Sequence, residues 1–347
     1  MRTRPRLKIL VIGGTGFIGP HVIRALVANG HQVAAFHRTA RASELPARVQ
    51  EILGDRRELE AHQTAFKAFA PEIVVDVILS SGRQAAALMR LFRCKARRVV
   101  AISSMDVYRA CGVLHGSEPG DLEPLPLTED SPVRTVLRTY PPENIKMLQS
   151  VFGWLDDEYD KIPVEEAVLG DPDLPGTVLR LPMVYGPGDP LHRFFPLLKR
   201  IDDKRPAILL ADDFAEWRGC KGYVENVGAA IALAAVSEKA AGRIYNVAEP
   251  DVPTEREWAE RVARATGWQG KIVVLPREST PKHLILPGNT RQHWVASSRR
   301  IRKELGFREP VEPDEALRRT IEWERTHPPP IDPAQFDYAA EDASLSA

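Results

Sequence analysis

A chain of 347 residues has the length of about two ordinary domains. Its 44% hydrophobic and 27% charged residues exclude a disordered or fibrous chain and are ordinary for a globular enzyme. Lys plus Arg and Asp plus Glu both total 47, so no net field steers the chain to nucleic acid or to a membrane surface.

The apolar run at 7–12 predicts a strand that enters Gly13-Gly14-Thr15-Gly16-Phe17-Ile18-Gly19, and 21–27 predicts a helix behind it. Glycine serves where backbone must bend with positive φ or lie directly against a ligand. The N-terminus of the following helix offers unpaired N–H groups and a positive dipole end to a pyrophosphate. Gly13, Thr15, Gly16, Phe17, Ile18 and Gly19 are therefore expected to bind a dinucleotide. Further strands are predicted over 32–36, 49–53, 73–78, 98–102 and 178–181, with helices over 58–69 and 83–92. Short strands without strict alternation, separated by helices, imply a doubly wound parallel sheet of Rossmann type, with ligands beyond the carboxyl ends of the strands.

The residues after each strand carry the next expectations. Arg38, with Arg41 nearby, suits the 2′-phosphate of NADP, where an acidic residue would suit NAD; NADP is favoured, NAD is the alternative, and a solvated surface arginine is the bland reading. Asp55 can accept from the adenine amino group or cap a helix. Ser80 lets the backbone approach the ribose and nicotinamide, or simply starts a helix.

After the fifth strand stands Ser103-Ser104-Met105-Asp106-Val107-Tyr108, and after the sixth Leu179-Arg180-Leu181-Pro182-Met183-Val184-Tyr185-Gly186-Pro187-Gly188. With Tyr223-Val224-Glu225-Asn226-Val227, Ile244-Tyr245-Asn246-Val247-Ala248 and the closing Leu305-Gly306-Phe307 through Ile321-Glu322-Trp323, these motifs in this order resemble the extended short-chain dehydrogenases/reductases, the NAD-dependent epimerase/dehydratase superfamily. The resemblance spans nearly the whole chain. It implies an NAD(P)-dependent epimerase, dehydratase or reductase acting by hydride transfer on a hydroxyl or carbonyl of a sugar or nucleotide-sugar-like substrate. It also implies Ser103 and Pro182 at the cofactor and Ser104 as the family serine that orients the substrate oxygen.

The family's Tyr-x-x-x-Lys pentapeptide does not occur after Ser104. Glu158-Tyr159-Asp160-Lys161-Ile162-Pro163-Val164-Glu165 preserves the lysine and the Lys-x-x-x-Glu spacing that follows it, and places Asp157 where the tyrosine would stand. Tyr140 with Lys146 is a weaker alternative, because the intervening prolines oppose a helix. Lys161 is expected at the cofactor ribose. Tyr159 is the candidate acid/base if the helix begins at Asp160 or near Pro163, because inside a helix it would face away from Lys161. The arrangement resembles the atypical branch of the superfamily, in which the catalytic tyrosine is displaced or absent.

Tyr108 and Tyr140, with His115, are candidates to line a substrate pocket from the long Pro- and Gly-rich stretch 111–142, a lid or disordered insertion by its length. Arg218 and Lys221 are the candidates to hold a substrate diphosphate, ahead of Arg193 and Arg291. Met183 stands where many nucleotide-sugar enzymes carry asparagine, which speaks against that substrate.

The expected organisation is an NAD(P)-binding domain over 1–181, to which 219–248 returns, a smaller C-terminal α/β substrate-binding part over 182–218 and 249–327, and a flexible tail over 328–347. The nine histidines lack metal-ligand spacing, so no metal is expected. Cys94, Cys111 and Cys220 read as free thiols of a cytoplasmic protein. The partners expected are a small-molecule substrate and, as the family allows, a second copy in a homodimer, with neither nucleic acid nor membrane. A catalytically silent NAD(P)-binding regulator of the same fold is the second functional class.

Overall fold

The structure, a computed structural model, describes residues 6–38 and 45–346. Arg41 lies outside the described residues. The strands are β1 (Lys8–Ile12), β2 (Gln32–His37), β3 (Gln50–Leu53), β4 (Ile73–Asp76), β5 (Arg98–Ser104), β6 (Gly176–Leu181), β7 (Met183–Tyr185), β8 (Ala207–Ala211), β9 (Lys221–Tyr223), β10 (Arg243–Asn246) and β11 (Lys271–Leu275). The helices of the first half are α1 (Gly19–Ala28), α2 (Gln63–Phe69), α3 (Gly82–Phe92), α4 (Arg109–His115), α5 (Pro142–Val151) and α6 (Lys161–Leu169). Those of the second half are α7 (Phe195–Asp202), α8 (Asp212–Ala215), α9 (Val224–Val236), α10 (Glu255–Thr266), α11 (Arg299–Leu305), α12 (Pro313–Thr326) and α13 (Tyr338–Ser346).

Seven strands form one parallel sheet in the order β10-β6-β5-β4-β1-β2-β3, and two small two-stranded sheets pair β11 with β8 and β7 with β9. The two faces of β1 separate by the period of two that a strand imposes. Ile9 and Val11 pack with Val22, Ile23 and Leu26 of α1 and with Val227 and Ile231 of α9. Leu10 and Ile12 pack with Leu88 and Phe92 of α3 and with Val164 and Val168 of α6. Both faces are covered, so the strands carry apolar residues at nearly every position. Strand order reverses between β1 and β4, and that switch point opens the crevice in which such sheets bind ligands. No helix among the described residues is long and apolar enough to cross a membrane.

Three expectations are corrected. The predicted helix over 58–69 is a 3₁₀ segment (Arg56–His62) followed by α2, because Glu58 leaves helical geometry where Arg56 turns inward to Asp76. Of the two alternatives for 111–142, the disordered insertion does not hold: the stretch opens within α4 and continues as a loop in which the Glu118 carboxylate accepts from the backbone N–H of Thr135 and Val136, and Arg134 is buried. The expected flexible tail is a docked one. Glu341 of α13 is 1% exposed, takes a double hydrogen bond from Arg200 and faces His283 Nε2 at 3.0 Å, while Tyr338 bonds to Asp203. Replacing Glu341 by alanine leaves Arg200 buried without its carboxylate, and is expected to cost about 3 kcal/mol in urea denaturation. A loss below about 0.5 kcal/mol, the scale of an ordinary surface change, would mean the tail contributes nothing to the fold.

Candidate active site

β1 ends in a turn that only glycine can make at two places. Gly13 sits at φ +86°, where a Cβ would collide with Val77 and Ile78, and its N–H bonds to Phe36 O of the neighbouring strand. A Cβ on Gly19 would overlap the Gly13 carbonyl oxygen, so α1 could not start against the turn. Gly16 differs from both. A Cβ there would meet nothing closer than the Gly13 carbonyl oxygen at 3.7 Å, and the space it would enter belongs to an open cleft of about 820 Å³. No side chain caps α1, and its N-terminal residues Ile18, Gly19 and Pro20 line that cleft, so the positive end of the helix dipole faces it. This cradle fits a dinucleotide diphosphate. Gly16→Ala is expected to leave the thermal transition within about 1 °C while weakening NAD(P)H binding about tenfold, a loss near 1.4 kcal/mol; unchanged affinity would dissociate the turn from the ligand.

The structure places Gly13, Thr15, Gly16, Phe17, Ile18 and Gly19 together on the cleft, which Arg38 and Asp55 also line. Arg38 is exposed and donates from Nη1 to Gly153 O at 3.3 Å. Asp55 caps the 3₁₀ segment through Arg57 N at 2.8 Å, and its hydrogen bonds to the Arg57 side chain hold its carboxyl down at about 2. The capping reading offered for Asp55 is the one its hydrogen bonds show. The outer wall was not foreseen: Phe152, Gly153 and Trp154 follow α5, and Trp323 comes from α12.

At the ends of β4 and β5 lies a second group of side chains. Lys161 is buried at the first position of α6 and donates from Nζ to the carbonyl oxygens of Leu79 and Ile102, the latter at 3.1 Å. Burial pulls its ammonium down to about 8, against the charges of Asp106, Asp76 and Glu165, which hold it up. Asp160 is the N-cap of α6, accepting from Ile162 N at 2.9 Å, so Tyr159 stands in the turn before the helix and escapes the outward orientation that a helix would impose. Its hydroxyl donates to Asp106 Oδ2 at 2.9 Å, and its ring lies 5.7 Å from Lys161 Nζ. Burial and the neighbouring Asp106 carboxyl push Tyr159 well above its usual value. Ser104 is half-buried, and its Oγ accepts from Asp106 N at 3.2 Å. Ser104, Tyr159 and Lys161 are thus gathered around Asp106.

Residues 9–132 match the model of the NAD dependent epimerase/dehydratase family. Over that stretch, about a third of the chain, the protein is similar to the NAD-dependent epimerase/dehydratase family. Over 285 residues it is 28% identical to 2′-dehydrokanamycin reductase of Streptomyces kanamyceticus, covering 80% of this chain and 72% of that protein. Over 321 residues it is 24% identical to the chloroplast stem-loop binding protein of 41 kDa b of Arabidopsis thaliana, covering 87% and 75%. Among solved structures, dTDP-glucose 4,6-dehydratase of Bacillus anthracis, in complex with NAD, shares the fold at a TM-score of 0.66 and 15% identity, covering 94% of this chain and 99% of that one.

Several of the expected site residues take structural positions. Ser103 is buried and donates to Glu165 Oε1 at 2.6 Å, in a network with Arg180. Ser80 is buried, hydrogen-bonded to Gln84 and to Asp156 N, and so fastens the 155–160 loop to the end of β4. Pro182 is half-buried against Gly222. None of the three lines the cleft. Tyr108 is 0% exposed: its hydroxyl donates to Asn246 and its ring lies under Arg180, so it belongs to the core and not to a pocket wall. Lys221 is buried over Trp258 and paired with Glu255 at 2.5 Å, so its charge is already met. Arg218 is exposed on the C-terminal part, its N–H bonded to His293. Asp157 is exposed and bonded to Gln149, away from Asp106, and Lys146 is exposed on α5. Tyr140 does reach the site, where its hydroxyl donates to Asp106 Oδ2 at 3.3 Å.

Asp106 is the residue that sequence reasoning passed over. It stood inside the quoted Ser-Ser-x-x-Val-Tyr motif as an unassigned position. Its signal was a carboxylate between the apolar Met105 and Val107 at the end of a buried strand.

Proposed function

We propose that the protein is an NAD(P)-dependent oxidoreductase of the epimerase/dehydratase type, with NADP(H) preferred, acting on a hydroxyl or carbonyl of a sugar-like substrate. The observation that carries this reading is the glycine cradle. The Gly16 position leaves open a volume beside the uncapped N-terminus of α1, and the same sheet edge leads to Ser104, Tyr159 and Lys161. Arg38 at the adenosine end supports NADP, since a guanidinium can fork onto a 2′-phosphate. A dinucleotide held there supplies or accepts the hydride. The chain's own residues then orient the substrate oxygen (Ser104), move the proton (Tyr159) and hold positive charge beside the reacting centre (Lys161). The sugar-like substrate rests on the family and on the printed activities of relatives such as 2′-dehydrokanamycin reductase. Three free cysteines, with Cys94 exposed, suit a reducing cytoplasm.

The test is turnover of bound NADPH, and of NADH, followed by absorbance over a panel of sugar ketones and aldoses. Oxidation of cofactor that depends on one substrate class supports the reading. Tight cofactor binding with no turnover on any class would favour the second reading, a silent nucleotide-binding regulator. One observation favours that alternative: the Tyr159 hydroxyl is already committed to a carboxyl group, in a chain without Tyr-x-x-x-Lys.

A further inference from the structure

We propose that Asp106 is the proton reservoir of this site, acting through Tyr159, so that the Tyr159–Asp106 pair does the work that the family assigns to a tyrosine one helical turn before its lysine. This rests on the oxidoreductase reading above.

The geometry has four parts. Asp106 lies in the 3₁₀ turn Met105–Val107 directly behind β5 and is 2% exposed. Its Oδ2 receives the hydroxyls of both Tyr159 and Tyr140, while its Oδ1, equally buried, has no hydrogen-bond partner among the described residues. The nearby cations are committed elsewhere. Arg134 donates to the Asp106 backbone oxygen at 2.6 Å, to Val136 O and to Asp160, and Lys161 donates to two main-chain carbonyls. The remaining titratable neighbours, Cys111 and His115 of α4, bring no direct hydrogen bond to the carboxyl.

A buried carboxylate without an ion pair is costly, so such a carboxyl keeps its proton far more readily than an exposed one. Burial raises Asp106 accordingly. Two phenols on one oxygen leave the other oxygen as the place for that proton. Tyr159, for its part, cannot ionise easily with its hydroxyl turned onto a carboxyl group. A lone tyrosine base is therefore the wrong description of this site, and a proton relay is the consistent one.

In the direction of carbonyl reduction the step balances as follows. Hydride from the reduced nicotinamide forms a C–H bond at the carbonyl carbon, and the C=O π pair becomes an alkoxide lone pair. The alkoxide takes the Tyr159 phenolic proton, and rotation of the Asp106 carboxyl brings its protonated oxygen to the phenolate, which takes that proton. Asp106 is left as carboxylate, to be reprotonated from water after product release. Alcohol oxidation runs the same transfers in reverse.

The test compares wild type with Asp106→Asn, which accepts from Tyr159 but cannot release a carboxyl proton, and with Asp106→Glu, which can. In the cofactor-free protein, tyrosine ionisation is followed by ultraviolet absorbance, with Tyr159→Phe identifying the Tyr159 component. Asp106→Asn is expected to move that component down by about one pH unit, because a like charge is removed. In turnover, Asp106→Asn is expected to lose about 100-fold in kcat with cofactor affinity unchanged, and Asp106→Glu to recover part of it. Turnover within threefold of wild type, or an unmoved Tyr159 titration, overturns the proposal. If wild type turns over no substrate, the oxidoreductase reading fails, and the titration alone decides whether the coupled pair exists. If Asp106→Asn does not fold, the infrared band of a protonated carboxyl in wild type takes its place. That band should shift in Tyr159→Phe; its absence at neutral pH overturns the reservoir.

Discussion

Lys161→Met is expected to weaken NADP(H) binding about tenfold or more, while Lys146→Met stays within about twofold, because a hydrogen bond from a charged group contributes roughly 1.5–3 kcal/mol. Lys161 lies where β4 and β5 end, with its ammonium sheltered between two carbonyl oxygens, whereas Lys146 is exposed on α5. Methionine keeps most of the volume, so packing is preserved. Fluorescence titration at pH 7 reads the effect, and equal losses in the two variants would contradict the register that pairs Lys161 with Glu165. A linked effect on stability accompanies it. The folded-state value of Lys161 is about 8 against 10.5 for an unperturbed lysine, so between those values the unfolded chain binds the extra proton. Wild-type stability should therefore rise with pH across that window through this group, and Lys161→Met should flatten the rise.

Glu165→Ala is the variant expected to cost most in stability, about 3–5 kcal/mol. Glu165 takes Nε of Arg180 at 2.9 Å, Nη2 at 2.7 Å and the Ser103 hydroxyl at 2.6 Å, and all three residues are buried. Its removal strands a guanidinium in the core, between α6 and the β5–β6 pair that sets the floor of the site. Ser103→Ala, which loses one neutral donor and leaves the ion pair whole, is expected to cost about 1 kcal/mol. Urea denaturation with an unchanged m-value separates the two. A loss below about 1 kcal/mol for Glu165→Ala would show that the network relaxes or hydrates.

What the sequence disclosed follows the range of the interactions involved. The strand at 8–12, the glycine turn and α1 are local, and each residue there announces its role by type and spacing. The Lys161–Glu165 spacing was legible too, and pointed to the start of α6. The helix boundary decided the orientation of Tyr159, and it is set by a cap, Asp160, that also holds Arg134 across 26 positions of chain. Asp106 could not be assigned from its neighbours, because what distinguishes it is contact with Tyr140 and Tyr159, 34 and 53 positions away. Lys221, read as a substrate clamp, is paired with Glu255, and Tyr108, read as a pocket residue, is roofed by Arg180. In both cases a chemically suitable side chain had a distant partner that the sequence does not display. The last helix was misread for the same reason: its composition is that of a tail, and only Arg200, 141 positions upstream, makes Glu341 a buried anchor.

The most direct test of the central claim is equilibrium titration of the purified chain with NADPH and NADH, monitored by tryptophan fluorescence, with Gly16→Ala as the control. Trp154 and Trp323 line the cleft, so occupancy should change the signal. Saturable one-to-one binding, tighter for NADPH and weakened in Gly16→Ala without loss of fold, is the expected result. Binding of neither nucleotide, or binding that Gly16→Ala leaves untouched, would contradict the assignment of the glycine cradle as a dinucleotide site.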